Sequence, residues 1–266
     1  MPEHVTSSDG TTIAFDRFGE GPPVLIVSGL FCDRHRTHDL AAQLAAQLAG
    51  RGSVVNYDRR GRGDSSDTAP YAVEREVEDL GALISAVGGA AAVYGHSSGA
   101  GLALQAAARA LPITRLVLHE PPYGPDDDVS TDAARALARR VGAAIAEDRR
   151  GDAIALFMAE AGAPAEVAEQ MRGDPALLAI APTMPYDLRV MGDGDRGGTI
   201  PVELARAVTV PTLVIAGGAS PDFFRSTATR LVALLPQGAL RVLDGLDHDA
   251  PAEAVAPVVA EYLLAP

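Results

Sequence analysis

Two serines stand side by side in Gly95-His96-Ser97-Ser98-Gly99, and the chemistry open to each differs. The pentapeptide fits G-x-S-x-G with Ser97 at its centre, between the apolar run Ala90 to Tyr94 and a helical segment after Gly99. A tight strand-to-helix turn strains its central residue and lifts that side chain above the sheet edge, so the neighbours on both sides must be small. Ser97 is therefore the candidate nucleophile. Ser98 begins the helix, where its backbone N–H points toward any oxyanion formed on Ser97. Its own hydroxyl packs or caps. His96 occupies the variable position of the motif and packs or hydrogen-bonds beside the turn.

A serine hydroxyl is a weak nucleophile until a base accepts its proton. Of six histidines, His248 alone lies just beyond the last predicted strand, Leu240 to Leu243, and before the terminal helix, Ala252 to Leu264. The loop there returns to the strand edge at which Ser97 must stand. His4, His35, His38 and His119 read as surface or packing residues, with His35 and His38 within reach of the cleft.

Positioning these groups requires a regular frame, and the sequence supplies one. Short β-branched runs (Val24 to Ser28, Ser53 to Tyr57, Ala90 to Tyr94, Leu116 to His119, Thr212 to Ala216) alternate with helical segments (Leu40 to Leu48, Val73 to Val87, Thr227 to Leu235). This alternation predicts right-handed βαβ crossovers and a mostly parallel sheet. The runs are continuously apolar, as expected for strands covered by helices on both faces. Thr11 to Phe18 and Val24 to Ser28, joined by Gly19-Glu20-Gly21-Pro22, read as an antiparallel hairpin feeding that sheet. Between Pro121 and Val202 the beat fails, and helices such as Asp132 to Glu147 and Asp152 to Ala161 follow one another without a strand. Phe157, Met158, Met171, Leu177, Leu178, Ile180, Met184 and Met191 of that region either line an apolar cavity or fill its core.

Together these stretches resemble an α/β-hydrolase over nearly the whole chain. Val24 to Leu30 resembles the strand and entry to the oxyanion loop, Asp58-Arg59-Arg60-Gly61-Arg62-Gly63-Asp64-Ser65 the Asp-x-Arg-Gly-x-Gly-x-Ser turn, and Gly245-Leu246-Asp247-His248 the histidine loop. The resemblance implies an α/β-hydrolase fold with a mostly parallel, doubly wound sheet and a helical cap inserted after the sixth strand. The core would comprise residues 1–120 and 203–266, the cap 121–202. By position Leu30 would supply the second oxyanion amide, with Phe31 the neighbouring choice. Ser28 stands where a His-Gly pair is usual, a departure that spares a backbone donor.

The triad's acid departs further from the family pattern. It commonly follows the penultimate strand, where this chain has Ser220, a residue with no charge to offer. Glu120 ends the apolar run Arg115 to Glu120 just before Pro121-Pro122, and some members of the superfamily place the acid after this strand. A carboxylate in an apolar strand end also needs a partner, since burying it alone costs several kcal/mol. Asp222, two residues beyond Ser220, is the alternative acid, although a helix-start aspartate has a simple macrodipole role. Glu120 is preferred. Asp247 and Asp249 flank His248 and are weaker choices.

The resemblance implies a serine hydrolase of the esterase or lactonase kind, cleaving a carboxylic ester or lactone of a small, largely apolar substrate through Ser97, His248 and Glu120. Thioester, amide and C–C cleavage fit the same groups. Two other classes compete: cofactor-free non-hydrolytic chemistry (lyase, cyclase or perhydrolase), and a low-turnover ligand-binding receptor. A serine at position 97 argues against the aspartate-based dehalogenases and epoxide hydrolases. No metal-ligand spacing and no G-x-G-x-x-G after the first strand appear, so no metal or dinucleotide cofactor is expected. A formal charge of −13 over 266 residues disfavours nucleic acid as a partner. No run of about 18 apolar residues suggests a membrane span. A start without a basic-then-apolar segment, and a single cysteine, Cys32, lead to the expectation of a cytoplasmic protein. Subunit number stays open.

Overall fold

A computed structural model describes residues 1–265. In chain order its elements are β1 (Glu3–Thr6), β2 (Thr12–Glu20), β3 (Pro23–Val27), α1 (His38–Leu48), β4 (Gly52–Tyr57), α2 (Val73–Val87), β5 (Ala91–His96), α3 (Ser98–Ala108) and β6 (Ile113–His119). There follow α4 (Asp128–Ala146), α5 (Arg150–Glu160), α6 (Ala165–Arg172), α7 (Pro175–Ile180), α8 (Met184–Met191), α9 (Asp193–Arg196) and α10 (Val202–Ala207). The chain closes with β7 (Thr212–Gly217), α11 (Asp222–Leu234), β8 (Gly238–Leu243) and α12 (Ala252–Leu264). The described residues form one eight-stranded sheet in the order β1-β2-β4-β3-β5-β6-β7-β8. It is parallel from β4 to β8, while β2 pairs antiparallel with both β1 and β4.

Alternate residues of the central strands enter opposite cores, which is why their sequences read as unbroken apolar runs. Leu25, Val27, Val93, Leu116, Leu118, Val214 and Ala216 pack with α2, α3 and α11. Val24, Ile26, Tyr94, Val117, Leu213 and Ile215 pack with α1 and α12. Helix α2 meets the sheet through Val77, Leu80, Leu83, Ile84 and Val87, all buried, at the three- and four-residue spacing that draws one helical stripe.

The N-terminal hairpin is corrected. β2 does not pair with β3: it runs against β4 from Phe15↔Tyr57 to Glu20↔Gly52, and β3 lies beyond, parallel to β4 and β5. The hairpin partner of β2 is β1, through the turn in which Ser7 N–H donates to Thr11 O at 2.8 Å and Gly10 N–H to Ser7 O at 3.0 Å. Burial explains the exchange. β3, with Val24 to Val27 buried, belongs inside the parallel sheet, whereas β2 ends exposed at Gly19 and Glu20 and suits a place nearer the edge.

Helices α4 to α9 fill the interval between β6 and α10 without a strand. They gather their own apolar cluster around Val141, Ala144, Ile154, Leu177, Met184 and Leu188. Phe31, from the loop after β3, belongs to this cluster, and Leu30 packs against it. Among the described residues no helix is long and apolar enough to cross a membrane.

Candidate active site

The parallel register brings the chemistry to one edge. β5 and β6 end level, with His96 opposite His119, so the residues that follow, Ser97 and Glu120, leave the sheet side by side. Ser97 N–H donates to His119 O at 2.9 Å, and Glu120 N–H donates to Ile215 O at 3.0 Å. Both residues turn out of the sheet in left-handed backbone, with φ of 55° and 48°, and Phe31 in the loop after β3 does the same at 62°. Non-glycine residues seldom adopt this conformation, and such strain concentrates where geometry serves a function.

The turn needs its glycines for room. A Cβ at Gly99 would lie 2.2 Å from Val27 O, and one at Gly95 would lie 2.6 Å from Gly99 O. Gly29 faces Ser97 directly: a Cβ there would meet Ser97 Cβ at 2.8 Å and Ser97 Oγ at 3.4 Å. Ser98 is the first residue of α3, so its N–H has no acceptor within the helix and is available to an oxyanion.

Glu120 and His248 are brought together. His248 Nδ1 lies 2.7 Å from Glu120 Oε2, and Oε1 accepts the Gly217 N–H at 2.6 Å. Burial pushes the Glu120 carboxyl up, but the His248 ring and the Gly217 N–H outweigh it, so the pKa falls below the usual value. The buried Ser220 hydroxyl helps lower it without making a hydrogen bond of good geometry among the described residues. An ionised Glu120 accepts from Nδ1–H, which leaves Nε2 of a neutral His248 unprotonated.

His248 is seated beside the Ser97 turn by two aromatic neighbours. His96 Nε2 donates to His248 O at 3.0 Å, and the two rings are 4.7 Å apart. The Phe224 ring stacks on His248 at 4.8 Å. Behind them His119 holds Tyr94 Oη at 2.7 Å through Nδ1. Burial pushes the His96 pKa down to about 3 and that of His119 well below the ordinary value, so both are neutral packing and hydrogen-bonding groups. Among the described residues the Ser97 hydroxyl makes no hydrogen bond. Catalytic hydrogen bonds are often long or unformed in ligand-free structures, so the open hydroxyl is compatible with a role for Ser97.

Other sequence-predicted residues fall elsewhere. Asp222 occupies the exposed first turn of α11 and pairs with Arg225, in keeping with the helix-start role rather than contact with His248. Asp247 accepts the Asp249 N–H within its loop at 3.1 Å. Met184 and Leu177 are buried in the cluster of α4 to α8, and Phe157, Met158, Met171 and Leu178 pack against it. Met191 belongs to the main core.

One charged cluster escaped the sequence reading. Asp187 of α8 accepts from Ser98 Oγ at 2.6 Å, from Arg59 Nη1 at 2.5 Å and from Arg62 Nη2. Glu76 of α2 clamps Arg59 with two 2.7 Å bonds. Burial alone would raise the Asp187 carboxyl, but Arg59 and Arg62 hold it below the usual range. The sequence signal was slight: Asp187 sits with Thr183, Tyr186 and Arg189 in the otherwise apolar run Leu177 to Met191.

Residues 24–261 match the model of the alpha/beta hydrolase family. The chain belongs to that family. Among solved structures this family member is similar to an alpha/beta hydrolase from Sphaerobacter thermophilus DSM 20745, with 47% identity and a TM-score of 0.84 over 98% of this chain and 100% of that one. It shares its fold with a thermophilic esterase from Thermogutta terrifontis, at 24% identity and a TM-score of 0.70 over 99% and 98% of the two chains. The enol-lactonase from Burkholderia xenovorans LB400 aligns at 21% identity and a TM-score of 0.68 over 99% and 100%. These last two likenesses establish fold alone. No curated protein matches the sequence.

Proposed function

We propose that the protein hydrolyses a carboxylic ester or lactone of a small, largely apolar substrate through a Ser97-His248-Glu120 triad and an acyl-enzyme. Ser97 Oγ attacks the acyl carbon as His248 Nε2 takes its proton. Glu120 holds the ring in the required tautomer and balances the imidazolium. The amides of Ser98 and Leu30 receive the oxyanion. The tetrahedral adduct collapses as His248 returns the proton to the leaving oxygen, and water, activated by the same imidazole, releases the acid. Residues 1–120 and 203–266 act as the catalytic core and 121–202 as a cap over it.

The observation that carries this reading is the 2.7 Å contact between His248 Nδ1 and Glu120 Oε2 beside the Ser97 turn. Family membership supports hydrolysis, and two fold neighbours are named as an esterase and an enol-lactonase, in line with an oxygen ester without selecting it. The test is labelling with a fluorophosphonate probe alongside turnover of short p-nitrophenyl esters and lactones. Labelling and turnover by the wild type, both lost in Ser97→Ala, are expected. A wild type that neither labels nor turns over these substrates overturns the proposal.

A further inference from the structure

Leu30 and Ser98, the two amides proposed to hold the oxyanion, come from different elements, and their separation must be right to a few tenths of an ångström for both to bond one oxygen. One carboxylate outside both elements touches the supports of each. Asp187 Oδ1 accepts the Ser98 hydroxyl at 2.6 Å, two covalent bonds from the helix-start backbone. On the other side, Arg59 and Arg62, which both donate to Asp187, reach the loop after β3. Arg59 Nη1 bonds Ser28 O at 3.3 Å, and Arg62 Nη1 bonds Gly29 O at 2.7 Å and Cys32 O at 3.1 Å. Leu30 lies between these tethered carbonyls.

We infer that Asp187 is a positioning residue that sets the spacing between the Ser98 and Leu30 amides, so that helix α8 forms part of the oxyanion-binding apparatus. This builds on the triad reading above. A rigid, planar guanidinium transmits position better than a flexible ammonium does. The members Arg59, Arg62, Ser98 and Asp187 are all at most 3% exposed, which strengthens their bonds and excludes competing water. Glu76 anchors Arg59 to the core helix α2, giving the apparatus one reference on α2 and a second on α8.

The test compares wild type, Ser98→Ala, Ser98→Thr, Asp187→Asn and the Ser98→Ala/Asp187→Asn double variant. Its readouts are p-nitrophenyl butyrate turnover, inhibition by phenylboronic acid, which forms a tetrahedral adduct on serine, and thermal midpoint. Ser98→Ala is expected to lower kcat about tenfold, by analogy with small misplacements of catalytic groups, and to weaken boronate inhibition by the same factor. KM should stay within about twofold and Tm within a few degrees. Ser98→Thr, which keeps the hydroxyl, should recover most of the loss, and the double variant should be no worse than Asp187→Asn. If Asp187→Asn fails to fold, the serine variants carry the test. A fully active Ser98→Ala with unchanged boronate affinity overturns the inference and leaves the triad standing. Loss of kcat only in proportion to lost stability, without rescue by threonine, overturns it as well. A wild type inert toward both ester and boronate removes the triad reading and this inference together.

Discussion

Glu120 Oε2 meets His248 Nδ1 at 2.7 Å across 128 positions of chain, while the strand that commonly carries the acid in this family contributes only a backbone donor, Gly217 N–H, to the same carboxylate. Level strand ends make the substitution workable. In the proposed triad, taking the acid from after β6 rather than after β7 shifts its origin by one strand spacing, about 4.8 Å, which a glutamate in left-handed backbone spans.

Glu120→Gln should lower kcat by about 10³–10⁴-fold, because a neutral amide stabilises neither the tautomer nor the imidazolium. Asp222→Ala should stay within about twofold of wild type. In a Glu120→Ala background, Ser220→Asp should recover part of the activity by returning a carboxylate to the end of β7, and steady-state kinetics on the wild type and the four variants check all three statements. Full activity in Glu120→Gln would remove the acid assignment.

The contact of Glu120 with His248 was legible because an acid at the end of Leu116-Val117-Leu118-His119 conflicts with its neighbours unless it has a partner. The strands of the central sheet were legible for a related reason: burial on both faces leaves a continuous apolar signature. The partner of β2 was not, since a short Gly-Pro connection serves a hairpin or a strand displaced by one place equally well. Asp187 was hidden by distance, its partners Ser98 and Arg59 lying 89 and 128 residues away. No local pattern encodes such contacts.

Gly29→Ala should cost about 10² in kcat or more, comparable to losing an oxyanion donor, because its methyl would press on Ser97 Cβ and His96 O. Both contacts belong to the strained turn and have little freedom to retreat. Circular dichroism should show a folded protein, and fluorophosphonate labelling should slow in parallel with ester turnover.

His96 should affect position but not titration. With its pKa pushed down to about 3, it stays neutral at any working pH, so His96→Gln should lower kcat without changing the shape of the pH–rate profile. Stability should respond differently. The unfolded histidine takes a proton below about pH 6.5 while the folded one does not, so the wild type loses stability as pH falls from there toward 3. The drop in Tm between pH 7 and 5 should be a few degrees smaller in His96→Gln, read by differential scanning fluorimetry.

Asp193 has the opposite sign. Burial raises its pKa to about 7, against the pull of Arg196, so the folded protein binds more protons than the unfolded chain between about pH 4 and 7. Stability from this residue therefore falls as pH rises through that window. Asp193→Asn should leave Tm nearly unchanged at pH 4.5 and raise it by a few degrees at pH 8. An equal shift at both values would contradict the burial argument.

Phe31 carries its aromatic ring away from the sheet and into the inserted helices, where it meets Phe157 edge-on at 5.7 Å, although its backbone lies in the loop against Ser97. Grafting a relative's helices between β6 and β7 would thus replace the socket that holds this loop. Chimeras made to borrow a new substrate range should lose turnover until position 31 is re-matched to the incoming segment.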